Sequence, residues 1–391
     1  MQKSKPLRIL IVDDTVVYRK IVSDVLAELP DVEVVGTAHN GKSALLKVKT
    51  LKPDLLTLDI EMPEVNGLEV LQQLQQEQID VGAIMLSTLT HEGGAMTMRA
   101  LELGAFDFLP KPQSGTMAEN KASVAKALAP MLKAFARSRE IRSALNRSKP
   151  LRHQPRTIAP VVKGRLAEGL VQCRTGTSSV IAIGISTGGP YALARMLPQL
   201  PEDLGVPIVI VQHMPALFTQ SLAKSLDSKC AIEVREAVNG EPLRPNVAFI
   251  APGGKQMKVV AAADGKQRMI KITDDPPENS CKPSVDYLFR SIADHYLGRA
   301  TGVIMTGMGS DGTAGLRLMK NRGAVVIAQD EASCVVFGMP KEPIESGIAD
   351  VVAPLDRLAA EILRTVSGSC GLRNAESGRT FHTTLAESNL R

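Results

Sequence analysis

Apolar and polar positions alternate along this chain in two long blocks. From Leu7 to about Ala136, five short apolar runs (Arg8–Val12, Val32–Gly36, Leu55–Leu58, Gly82–Leu86 and Ala105–Leu109) are followed by amphipathic stretches such as Val16–Leu29 and Gly94–Leu103. Near-continuous apolar strands alternating with helices predict a parallel sheet covered on both faces. From Ser179 the rhythm resumes. Strands are predicted over Val180–Ile185, Pro207–Val211, Val247–Ile250, Thr301–Met305 and Ala324–Ala328, and helices over Tyr191–Leu197, Ser221–Leu226, Val285–Tyr296 and Ala314–Asn321. Met257–Ala263 and Arg268–Thr273 flank Asp264-Gly265, the signature of a hairpin. The pattern predicts two doubly wound α/β domains, the second with a β-hairpin insertion.

Between the blocks, residues 137–178 lack a sustained apolar stripe and carry Pro150, Pro155 and Pro160. They read as a linker whose first part can extend the preceding helix. The resulting division is 1–136, a linker over 137–178, a second domain over 179–366 and an irregular tail over 367–391, and 391 residues suit two such domains. The net charge of +5 is concentrated in the linker, where ten basic residues face only Glu140 and Glu168. The remainder is mildly acidic. With aromatics at 3% and no Trp, the chain offers little for base stacking, and no nucleic-acid partner is expected.

The five cysteines (Cys173, Cys230, Cys281, Cys334, Cys370) are scattered and form no C-x-x-C pair, which argues against a zinc site or disulfide framework. No apolar run approaches the ~18 residues that span a membrane. The basic start is followed by only Ile9–Val12 before Asp13-Asp14, a strand and carboxylate pair rather than a secretion signal. A cytoplasmic protein, not embedded in a membrane, is expected.

In an open parallel sheet, ligands gather outside the carboxyl ends of the strands. In the first block that edge receives Asp13 and Asp14 after the first strand, Asp59 after the third, Ser87 after the fourth and Lys111 after the fifth. Crowded carboxylates repel one another unless a cation joins them, and Mg2+ prefers such oxygen donors. Singly, each aspartate is a turn former or helix cap. The motifs Val12-Asp13-Asp14, Leu58-Asp59-Ile60-Glu61-Met62-Pro63, Leu86-Ser87 and Pro110-Lys111-Pro112 resemble the response-regulator receiver family. The resemblance implies Asp59 as phosphoacceptor, Asp13, Asp14 and Asp59 as metal ligands, and Ser87 and Lys111 as phosphate sensors. It also implies Phe108 as an aromatic switch and a cis Lys111–Pro112 bond.

The second block opens with a strand ending at a glycine-flanked serine, Gly184-Ile-Ser186-Thr-Gly188-Gly-Pro190, with a helix starting just after. Free amides at that helix start suit an oxyanion. Serine needs a base. His213 ends the next strand on the same sheet edge, whereas His295 lies inside a helix and His382 in the tail. Asp311, in a glycine-rich loop after the strand Thr301–Met305, is the candidate orienter, with Asp330 its rival. The order Ser, His, Asp differs from the Ser, acid, His order of α/β-hydrolases. The turn also lacks the G-x-G-x-x-G spacing of a dinucleotide site. A second domain that only binds a partner or nucleotide is the alternative, separable by a serine-directed probe on Ser186.

Gly184–Pro190, Val211-Gln-His-Met-Pro215, Ile250-Ala-Pro-Gly-Gly254, Met305–Gly312 and Val336-Phe-Gly-Met-Pro340 look like the chemotaxis protein-glutamate methylesterase family, over about 179–366. The whole chain thus resembles a chemotaxis response regulator methylesterase and glutamine deamidase. The fold it implies is α/β, two doubly wound parallel-sheet domains: an N-terminal flavodoxin-like receiver and a C-terminal Rossmann-like methylesterase domain. The family implies the same Ser186, His213 and Asp311 triad, with Thr187 and Met308 lining the active site near the oxyanion. It further implies a chemoreceptor cytoplasmic domain as substrate and a chemotaxis histidine kinase as phosphodonor. Mg2+ serves the receiver, and no cofactor serves ester hydrolysis.

Overall fold

A computed structural model describes residues 5–147 and 177–367, with 142–147 described by backbone alone. The rest of the expected linker and the tail lie outside the described residues. The first domain alternates β1 (Leu7–Val12), α1 (Val16–Ala27), β2 (Val32–Ala38), α2 (Gly41–Leu51), β3 (Leu55–Asp59), α3 (Gly67–Gln76), β4 (Gly82–Ser87), α4 (His91–Glu102), β5 (Asp107–Pro110) and α5 (Met117–Arg147). All strand pairs are parallel, in the order β2-β1-β3-β4-β5. Every residue of β3 is buried, which is why it reads as an unbroken apolar run ending in an acid.

The second domain continues with β6 (Val180–Ile185), α6 (Gly189–Met196), β7 (Ile208–Gln212), α7 (Phe218–Asp227), β8 (Glu233–Glu236) and β9 (Val247–Ile250). A separate antiparallel hairpin follows, β10 (Gln256–Ala261) and β11 (Arg268–Thr273). Then come α8 (Val285–Tyr296), β12 (Ala300–Ile304), α9 (Thr313–Asn321), β13 (Val325–Gln329), α10 (Lys341–Glu345), β14 (Val351–Ala353) and α11 (Leu355–Val366). Its parallel sheet runs β14-β13-β12-β6-β7-β9-β8. The chain leaves β6 toward β7 on one side and returns to β12 on the other. The crevice beyond the carboxyl end of β6 is therefore the topological switch point, where ligands bind in such sheets.

Two features depart from the sequence reading, and a third, the length of α5, follows its expectation that the first part of the linker extends the preceding helix. The edge strands β8 and β14 were not predicted: Glu233-Val-Arg-Glu is short and charged, as an unprotected sheet edge demands. Helix α5 runs to Arg147, well past residue 136. The Lys111–Pro112 bond is not cis; the one cis bond among the described residues is Lys282–Pro283.

The two domains pack against each other through α4, β5 and α5 of the first. The Phe108 ring lies 4.5 Å from that of Phe218 on α7. Glu102, at the end of α4, accepts the Ser225 hydroxyl at 2.6 Å and pairs with Lys229. Val336 from the second domain is buried in the same apolar cluster as Phe106, Leu128 and Phe135 of the first.

Candidate active site and phosphoacceptor pocket

β6 and β7 are neighbours in register, Ile185 opposite Gln212, so the residues that follow them, Ser186 and His213, emerge side by side. The His213 amide donates to the Ile185 carbonyl at 3.1 Å, and the Ser186 amide to the Thr306 carbonyl beyond β12 at 3.0 Å. Gln212, fully enclosed, donates from Nε2 to the carbonyls of Ser186 (2.9 Å) and His213 (3.2 Å). One amide group thus clamps the backbone of both residues.

Two glycines permit the crowding. Gly188 has φ +78°, and a Cβ there would meet the Val335 side chain at 2.5 Å. A Cβ on Gly307 would lie 2.7 Å from that of Ser186.

Asp311 arrives in the loop after β12. Its Oδ2 is 2.8 Å from His213 Nε2 and accepts the Val285 amide at 2.7 Å. Its Oδ1 accepts the Ser284 hydroxyl (2.9 Å), Asn279 Nδ2 (2.9 Å) and the Asp286 amide (3.1 Å). The carboxylate therefore sits on the amino end of α8, where free amides and the helix dipole favour a negative charge. Burial alone would raise its pKa, but His213, Asn279 and Val285 outweigh it and hold the group at about 2. Burial alone would likewise lower the His213 pKa, yet the Asp311 bond and Cys281 push it up to about 9.

His213 Nδ1, the ring edge away from Asp311, lies 3.8 Å from Cys281 Sγ. The Ser186 hydroxyl makes no hydrogen bond among the described residues. His213 is thus joined to Asp311 directly and to Ser186 by strand register. Asp330 instead caps its own turn, accepting from the Ser333 amide at 3.0 Å, and His295 sits in the last turn of α8. His382 lies outside the described residues. Thr187 is buried and donates to Asp107 Oδ2 of the first domain at 2.7 Å. Met308 packs with Val335 and Val336 against that domain's core.

In the first domain, Lys111 Nζ bridges Asp59 (2.6 Å) and Asp13 (2.8 Å). Carboxylate oxygens of Asp13, Asp14 and Asp59 lie within 4.8 Å of one another. Burial first, with Asp13 and Asp14 adding to it, raises Asp59 to about 6 against the pull of Lys111. That crowding of hard oxygen donors fits a divalent cation such as Mg2+. The Ser87 hydroxyl, however, is paired with Thr97 Oγ1 at 2.6 Å, and Phe108 is engaged with Phe218.

Sequence reasoning missed Gln212, Asn279, Cys281 and Ser284. Ser284 carried a signal: it is the N-cap of α8, whose start is a ready anion site. Asn279 and Cys281 lie in an aperiodic loop between β11 and α8.

Comparison with known proteins identifies the family of both domains. The chain matches the response regulator receiver domain family over residues 9–121 and the CheB methylesterase family over 181–362. It is 56% identical to a protein-glutamate methylesterase/protein-glutamine glutaminase of Desulfotalea psychrophila, covering 93% of this chain and 99% of that one. It is 41% identical to the protein of the same description in Trichodesmium erythraeum, covering 92% and 99%. Among solved structures, the Thermotoga maritima CheB methylesterase catalytic domain matches 48% of this chain and 99% of that one at 40% identity, with a TM-score of 0.47.

Proposed function

The chain belongs to the protein-glutamate methylesterase/protein-glutamine glutaminase family, and from that premise we propose that Ser186, His213 and Asp311 carry its hydrolysis, under control of Asp59. It is a receiver-regulated hydrolase of chemotactic adaptation that removes methyl esters and amides from glutamate and glutamine side chains. The observation that carries the residue assignment is the 2.8 Å bond from Asp311 to His213, with Ser186 on the adjoining strand end.

Ser186 adds to the γ-carbonyl of the side chain as its proton passes to neutral His213, the form that its raised pKa makes the minor one near pH 7. The oxyanion meets the loop of Thr187 and the Gly307-Met308 turn. Collapse expels methanol from an ester, or ammonia from an amide, with the proton returned by the imidazolium. Water then attacks the glutamyl-enzyme by the same path. Asp311 holds the ring orientation and stabilises its charged form.

The substrate we assign is the cytoplasmic helical domain of a chemoreceptor, and the phosphodonor a chemotaxis histidine kinase, which puts the enzyme in the cytoplasm. No helix among the described residues is long and apolar enough to cross a membrane. Asp13, Asp14 and Asp59 would hold Mg2+, whose charge would offset that of a phosphoryl group brought to Asp59. Ser87, Lys111 and Phe108 would sense the phosphate.

The test is Ser186→Ala, read as methanol released from methylated receptor fragments. A fall of about 10^3-fold or more is expected, with phosphorylation of Asp59 unaffected. Because Cys281 also faces the imidazole, Cys281→Ala is run beside it. Hydrolysis that survives the serine change but not the cysteine change would sink the assignment.

A further inference from the structure

Cys281 has no part in the hydrolysis outlined above, yet it stands on the catalytic imidazole. Its thiol sulfur, an imidazole nitrogen of His213 and a carboxylate oxygen of Asp311 all lie within 4.8 Å of one another. Donors around one tetrahedral zinc ion, bound at about 2.0–2.3 Å, stand roughly 3–4 Å apart. The Nε2 to Oδ2 distance of 2.8 Å is already close to such a spacing, and Cys281 Sγ, 3.8 Å from the ring's other nitrogen, would swing toward the Nε2 edge to complete it. Thiolate, imidazole and carboxylate together are a borderline-soft set that selects Zn2+ over Mg2+.

We infer that Cys281, His213 and Asp311 form a zinc-binding site that silences the hydrolase when filled. The ion would bind Nε2 in place of the proton shared by His213 and Asp311, that proton would move to Nδ1, and the thiol would lose its own proton to solvent on binding. A metal-bound imidazole has no free lone pair for the Ser186 proton. The surroundings suit a ligand set of this kind. Asn279 and Ser284 already donate to Asp311 Oδ1, the outer support that fixes a ligating carboxylate. Cys281 and His213 are only half-buried, so an ion can enter. The spacing of cysteines along the sequence gives no sign of such a site, because its ligands come from three separate loops.

The silencing rests on His213 acting as the base, whereas the binding does not, so the two are read separately. The full chain is reduced, freed of metal and titrated with Zn2+ alone, by calorimetry and by competition with a chromophoric chelator. Co2+ is titrated in parallel for its thiolate charge-transfer band. One tight equivalent of zinc and the thiolate band are expected. Methanol release should fall with the same midpoint and recover on chelation. Cys281→Ser should lose the band and weaken zinc binding by about a hundredfold, each rate being referred to the variant's own metal-free value. Equal zinc affinity in wild type and Cys281→Ser, or no thiolate band, would overturn the site. Binding with the band but undiminished turnover would overturn the silencing and, with it, His213 as base.

Discussion

Thr187, the residue after the proposed nucleophile, donates its hydroxyl to Asp107 of the receiver at 2.7 Å. The contact ties the turn after the proposed nucleophile to the strand that carries Phe108 and leads to Lys111. Phe108 on Phe218 and Glu102 with Ser225 and Lys229 flank it along the same interface. The receiver therefore packs beside the proposed active site, joined to it by a small number of polar contacts. Asp107→Ala removes one of them. A buried hydrogen bond to a carboxyl group contributes about 1.5–3 kcal/mol. Basal methanol release by the unphosphorylated full chain is accordingly expected to rise several-fold, toward the rate of a chain starting at residue 177. An unchanged basal rate would show that this contact restrains nothing.

The same carboxyl makes the restraint pH-dependent. Burial raises Asp107 to about 6, with the bonds from Thr187 and the Phe108 amide pulling against it. Released from the interface, the group returns toward the ordinary aspartate value of about 3.9. The closed form thus binds the proton more tightly. Its extra stability is fully present below about pH 4 and is lost as pH rises through about 6. The ratio of truncated to full-chain turnover should therefore shrink between pH 4.5 and 7, by up to about 20-fold. Taking the ratio cancels the titration of His213, which both forms share. Asp107→Asn should give a flat ratio, and a wild-type ratio that is equally flat would refute the argument.

How far the sequence alone reached can be judged residue by residue. β3 and β6 were legible because every position in them is buried, and Val285–Tyr296 because a single apolar stripe repeats along it. β8 was not, because an edge strand reading Glu233-Val-Arg-Glu has neither alternation nor an apolar run. Strand ends marked Ser186, His213 and Asp311, since the sheet edge organises them. Asn279 and Cys281 left no such trace. Asn279 bonds Asp311 across 32 positions from a left-handed backbone conformation (φ +52°), and Cys281 meets a histidine 68 positions away. The sequence marks Thr187 by its place after Ser186, but its bond to Asp107 depends on domain packing that no local pattern encodes.

Phosphorylation should act through the pocket that Lys111 now closes. The Lys111 ammonium is shared between Asp59 and Asp13, and a phosphoryl group on Asp59 would claim it. Lys111 follows directly on β5, the strand of Asp107 and Phe108, so the rearrangement begins beside the interface. Asp59→Ala should abolish the rise in turnover on adding a small-molecule phosphodonor with Mg2+, while leaving basal turnover within about twofold of wild type. Stimulation that persists in the variant would place the acceptor elsewhere.

Asn279 offers the sharpest separation of positioning from folding. Its side-chain amide donates to Asp311 Oδ1 at 2.9 Å and to Asp286 Oδ2 at 2.8 Å. It joins the carboxylate that orients His213 to one that accepts the Gly315 amide at 2.6 Å. Asp286 is raised by burial and by the nearby Asp311 charge, so the two acids repel and Asn279 screens them from one another. Asn279→Ala leaves Asp311 with its bonds from Ser284, Val285 and Asp286, so the fold should persist. The carboxylate would be less firmly aimed, and kcat should fall about 10- to 100-fold with KM nearly unchanged. Asn279→Asp is nearly isosteric but places a third carboxylate in the cluster. It should cost more activity than alanine at neutral pH and recover part of it as pH is lowered. Matching losses in both variants, accompanied by equal drops in Tm, would mark the residue as structural and remove it from the site.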